Sequence, residues 1–96
     1  MEIIKNRAGE KMYPVCNWEN NQHKLYNADD RIMIQWYEAL ENGTVEEFKA
    51  IDKEKEKIER AMLAFDAHVI GGMVYATYED RCLILDYVGA YNARQR

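Results

Sequence analysis

The sequence predicts a mainly α-helical α+β fold: an antiparallel helical hairpin plus a C-terminal helix, with a small N-terminal β-hairpin. Three observations carry this. Phe48, Ile51, Ile58, Met62, Phe65 and Val69 recur at alternating three- and four-residue spacings, with Lys55 filling the one gap. In a helix that register lays an apolar seam along one face. Thr44 followed by Glu47 makes a capping box ahead of the seam. Only Asn42 and Gly43 separate this helix from an earlier helical pattern, so the two must be antiparallel neighbours.

The elements follow in order. Ile3-Ile4 and Met12-Tyr13 flank the turn Arg7-Ala8-Gly9-Glu10 and read as a hairpin, with Gly9 supplying a positive φ and Pro14 ending the pairing. Residues 15–24 are rich in Asn and read as a loop that Trp18 anchors to the core; alternatively, Trp18 and Tyr13 line a recognition surface. A helix is expected from about Ala28 to Glu41, with a start near Gln22 as the alternative; Asn27 is the candidate cap, and Ile32, Met33, Trp36, Tyr37 and Leu40 form its apolar face.

The long helix spans 44–70, and Gly71-Gly72 stops it. Its middle, Asp52 to Lys57, reads as a solvated charged face, with Glu56 and Arg60 paired one turn apart. Lys55 in the seam either opens it to water or lays its stem along the core. Beyond Arg60 the helix is apolar on nearly every side and needs more than one neighbour, either the rest of the chain or a second copy. Residues 73–76 read as a short extended piece, and Thr77 with Asp80 starts a helix from about 78 to 94.

The 96 residues are expected to form a single domain, with the hairpin and loop in 1–24 and the helical part in 25–96. A 48% hydrophobic and 31% charged composition is that of a folded globular chain. No apolar run reaches the roughly 20 residues of a membrane helix, and no signal peptide is visible at Met1-Glu2-Ile3-Ile4-Lys5. With Cys16 and Cys82 far apart and expected as free thiols, a cytoplasmic protein is expected. The net charge of −4 arises in residues 25–51, where six acids face two bases. An acidic chain without a basic stripe disfavours nucleic-acid binding.

No motif for catalysis stands out. Cys16, His23, His68 and Cys82 are the soft ligands, but no two sit at the close spacing of a structural zinc site, so no metal or cofactor is expected. Cys82, in the apolar run Cys82-Leu83-Ile84-Leu85, is expected to be buried and inert; Cys16 with His23 is the only conceivable thiol nucleophile. Gly71-Gly72 lacks the context of a phosphate loop. The chain is therefore expected not to be an enzyme.

The tyrosines point elsewhere. Tyr75, Tyr78, Tyr87 and Tyr91 gather in the last quarter of the chain among Arg81, Arg94 and Arg96. Tyr and Arg are enriched in interface hot spots. Together with Trp18, this set marks an expected interaction surface. The expected function is a protein-protein interaction module, an adaptor or inhibitor of a larger assembly, acting as a homodimer. The alternative is a small-ligand or nucleotide-binding protein with a Tyr/Arg-lined pocket between helices or subunits.

Overall fold

The computed structural model describes residues 3–88. The expected end of the last helix, with Tyr91, Arg94 and Arg96, lies outside the described residues. The described elements run β1 (Tyr13–Asn17), α1 (Trp18–Asn42), α2 (Val45–Ala67), β2 (Val69–Ile70), β3 (Met73–Ala76) and α3 (Tyr78–Val88). The architecture is mainly helical: α1 and α2 form the antiparallel hairpin, α3 packs across its base, and a three-stranded antiparallel sheet closes that end. No helix among the described residues is long and apolar enough to cross a membrane.

The N-terminal hairpin is present in reduced form. Lys5 and Lys11 make a single antiparallel bridge, and the Met12 amide donates to the Ile4 carbonyl at 2.8 Å. Asn6 holds the turn, its side-chain oxygen accepting the amides of Ala8 and Glu10, and Gly9 adopts a φ of 81°. Pro14 does not end the pairing as expected. β1 runs on to Asn17 and pairs with β3, with a bulge between Pro14 and Cys16. An edge strand tolerates proline because its missing N–H is not needed on the open side.

The expected loop over 15–24 and the helix start near Ala28 are both corrected. Helix α1 begins at Trp18, so the boundary expected at residue 24 runs through it. Asn17, not Asn27, is the cap: its side chain accepts the Asn20 amide at 2.8 Å while its carbonyl takes a bond from the Asn21 side chain. The run of asparagines that suggested a loop is thus a helix start. Thr44 caps α2 as expected, its hydroxyl accepting the Glu47 amide at 3.1 Å.

Helix α2 ends at Ala67, earlier than its apolar register suggests. Val69 and Ile70 pair with β3 instead, and Gly71-Gly72 is the two-residue turn between those strands rather than a helix stop. Both glycines have positive φ, 58° and 81°, the left-handed geometry that a tight hairpin of this twist requires. The extended piece at 73–76 and the helix start near 78 are where the sequence places them. Thr77 caps α3, its hydroxyl 3.4 Å from the Asp80 amide.

The core sits at the base, where Leu25, Ala61, Phe65, Val74, Ile84 and Val88 meet from α1, α2, β3 and α3. The apolar end of α2 is therefore covered largely from within the chain: Ala61 is fully buried and Phe65 is 3% exposed, although Leu63 remains outside. Farther up the hairpin only Ile32, Ala39 and Ile58 are buried. Tyr37 and Leu40, expected on the buried face of α1, are more than half exposed. The hairpin instead buries Leu25, Ile32 and Ala39, with Trp36 half-buried in the same row, one residue earlier in register.

Much of the charged middle of α2 is not a solvated face. The indole N–H of Trp36 donates to Asp52 at 2.9 Å, the Trp18 indole to Asp66 at 2.8 Å, and the Tyr87 hydroxyl to Glu54 at 2.8 Å. Three aromatic side chains of α1 and α3 thus fasten onto carboxylates of α2, each burying its ring edge while satisfying its polar tip. Lys55 lays its stem along the seam, its amine paired with Glu59 and 5.5 Å from the centre of the Trp36 ring. Arg60 turns not to Glu56 but to Asp80, at 3.0 Å, and Glu79, at 3.6 Å, at the start of α3.

Candidate interaction surface

Where β1 meets the start of α3, Tyr13 and Tyr78 stand edge to face, ring centroids 6.3 Å apart at 81°. Tyr13 is 37% exposed and Tyr78 63%. Helix α3 positions Arg81 one turn after Tyr78, and its Nε donates to the Pro14 carbonyl at 3.2 Å. That bond fixes the guanidinium plane and leaves the terminal nitrogens free to donate; among the described residues no carboxylate pairs with Arg81. Tyr13, Pro14, Tyr78 and Arg81 together line a cleft of about 400 Å³.

A second cleft, of about 310 Å³, lies on the other side of Tyr13 and Pro14. Ile3, Ile4, Met12 and Tyr75 line it together with Lys11. The alternation of β3 explains Tyr75: Val74 and Ala76 are buried on the core side, so Tyr75 between them faces outward. The two clefts share the Tyr13-Pro14 ridge and are open to solvent along one side. Three phenol rings, a proline and two cations, Arg81 and Lys11, therefore line one continuous surface.

The expected site residues divide. Tyr78 and Arg81 come together in the first cleft, and Tyr75 lines the second. Tyr87 is turned away to Glu54 on α2; its burial, and then the bond to Glu54, raise the phenol well above its ordinary range. Trp18 packs half-buried against the core, its indole fastened to Asp66. Tyr91 and Arg94 lie outside the described residues. The sequence paired Tyr13 with Trp18, whereas its structural partner is Tyr78, and it gave Pro14 a role only in ending a strand, not in the surface. The available signal was the Tyr-Pro step itself, a rigid aromatic at a strand edge.

The remaining chemical candidates are not gathered. Among the described residues no group of three His, Cys, Asp or Glu side chains lies close enough to hold a metal ion. Cys82 is exposed rather than buried, because α3 turns Ile84 and Val88 inward and leaves Cys82 on its outer side. Cys16 is half-buried in β1, and burial pushes its thiol above the usual range against the opposing pull of the Lys24 cation. A raised thiol is a poor nucleophile at neutral pH. Cys82 is accordingly expected to react with a thiol-specific disulfide reagent first, and Cys16 at least about tenfold more slowly at pH 8, gaining as pH rises. Mass mapping of the labelled peptides checks this; faster labelling at Cys16 would contradict the burial argument.

No protein-family model, no curated protein and no solved structure matches the chain.

Proposed function

We propose that the chain is a non-catalytic protein-interaction module that holds an extended segment of a partner protein along the Tyr13-Pro14 ridge. The supporting observation is the pair of contiguous clefts, lined by Tyr13, Tyr75 and Tyr78, with Arg81 anchored in the first. Shallow, aromatic-lined grooves suit extended, proline-bearing segments, whose rigid backbone loses little entropy on docking. Arg81 adds a preference for a carboxylate on the segment, which its fork can grip with two parallel bonds. A small-ligand or nucleotide site would use the same Tyr78 and Arg81. Both clefts, however, are open along one side, whereas small-ligand pockets enclose most of their ligand.

An array of short proline-containing peptides, bearing either acidic or basic residues, tests the proposal. Acidic members are expected to bind with micromolar affinity. Tyr78→Ala is expected to weaken binding about tenfold or more, as loss of an aromatic anchor does, and Arg81→Ala to erase the preference for acidic peptides. Both residues lie at the surface edge, so circular dichroism should show the fold intact. If no peptide binds, or if Tyr78→Ala binds as well as the parent, the proposal fails. Light scattering over a range of concentrations identifies the partner's nature: a dimer that Tyr78→Ala dissolves would make it a second copy of the chain.

A further inference from the structure

Helix α1 carries a second apolar row that the fold does not use. The core-facing row is Leu25, Ile32, the half-buried Trp36 and Ala39; one residue on, Tyr26, Met33, Tyr37 and Leu40 repeat the same spacing of seven, four and three. Tyr26 is 46% exposed, Tyr37 55% and Leu40 56%. The second row runs over fifteen residues, fourteen rises or about 21 Å of helix. Met33 continues it across the hairpin into a cleft of about 460 Å³, where Met62 and Leu63 of α2 add apolar surface, Leu63 being 76% exposed. A row with the spacing that already accepts one helix is shaped to accept another.

The charge on this face selects the occupant. Asp30 fills the empty heptad position between Tyr26 and Met33, and Glu41 follows Leu40. Asp29 and the Lys55–Glu59 ion pair line the cleft itself. The cation in the cleft, Lys55, is neutralised by its pairing with Glu59. Asp29, Asp30 and Glu41 thus border the row as a negative band along α1. A second copy docked here would set the band against itself, and an anionic membrane would be repelled. We infer that this face docks a cationic amphipathic helix of a partner protein, its apolar side on Tyr26, Met33, Tyr37 and Leu40 and its basic flank over Asp30 and Glu41.

The probe is a fluorescent helical peptide of leucine and lysine with leucines at three-four spacing, alongside its twin with glutamate in place of lysine. Anisotropy titration should show binding of the lysine peptide, weakened by salt, and none of the glutamate peptide. Tyr26→Ser with Leu40→Ser is expected to loosen the lysine peptide about tenfold or more. Asp30→Asn with Glu41→Gln should loosen it several-fold and flatten the salt dependence. The four positions are exposed or border solvent, and circular dichroism confirms that each variant folds. Equal binding of the two peptides, or no effect of the serine pair, overturns the inference. So does a dimer of the unmodified chain that the serine pair dissolves, or adsorption to anionic vesicles that the serine pair abolishes. Tyr78→Ala should leave this binding unchanged, so the inference and the Tyr13-Pro14 reading can fail separately.

Discussion

Replacing Ile84 with alanine is expected to cost about 3 kcal/mol of folding stability and to lower the melting temperature by roughly 15 °C. Ile84 has no exposed surface and sits where α1, α2, β3 and α3 converge, against Leu25, Phe65 and Val74. Removing most of its side chain leaves a cavity that four elements would have to close at once. Two of those neighbours, Leu25 and Val74, are themselves at most 1% exposed and have no room to relax outward. For a domain of this size, whose total stability is on the order of 5–10 kcal/mol, that loss consumes a large share. The matched control is Ile34→Ala, the same chemistry at a position 67% exposed on α1, expected to change stability by less than about 0.5 kcal/mol. Urea unfolding followed by circular dichroism measures both. A cost below about 1 kcal/mol at Ile84 would mean that the base of the hairpin is not the main core.

That core was only half legible in the sequence, and the reason is specific. α1 carries two apolar rows at identical spacing, and nothing local distinguishes the one that will be buried. The row ending in Tyr37 and Leu40 looks heavier than the row ending in Ala39, yet α2 packs on the latter. Alanine is a weak apolar signal, but at a close helix crossing it is the residue that fits. Leu25 was missed for a different reason: the asparagine-rich segment before it mimics a loop, and only the bond from Asn20 to Asn17 reveals a cap. Gly71-Gly72 misled in the same way, since a glycine pair ends a helix or turns a hairpin equally well. Thr44, by contrast, was readable because a cap three residues ahead of Glu47 has few other uses.

The interaction surface was legible in composition but not in arrangement. Tyr78 and Arg81 are one turn apart and would share a face on any helix, so their meeting needed no tertiary information. Tyr13 and Pro14 reach them only through antiparallel pairing of β1 with β3, a contact across more than sixty residues of chain. Tyr87 shows the converse. It lies in the same helix as Tyr78, but the turn it occupies faces α2, and Glu54 takes its hydroxyl. A count of tyrosines could not separate an outward ring from one that fastens two helices.

The link between the two long helices yields the last prediction: Gly43→Ala should destabilise the chain by about 2 kcal/mol, the range for forcing an atom into occupied space. Conformation alone argues the other way. Gly43 has φ −90° and ψ 168°, a geometry alanine adopts freely, and at such sites glycine-to-alanine changes usually stabilise by restricting the unfolded chain. Space decides against it. A Cβ there would lie 2.8 Å from the Ala39 carbonyl oxygen and 3.0 Å from the Ala39 Cα. Both are backbone atoms and cannot swing aside. The same Ala39 carbonyl accepts the Gly43 amide at 2.9 Å, so relieving the clash stretches the bond that closes α1. Any shift there also disturbs the neighbouring stack, in which Trp36 lies 5.3 Å from the Phe48 ring and its indole bonds Asp52. Urea unfolding gives the cost, and near-ultraviolet circular dichroism should show the Trp36 signal altered while the helical signal persists. A stabilised Gly43→Ala variant would mean that the helices can splay without penalty, and that the tight turn between them is not what aligns the hairpin.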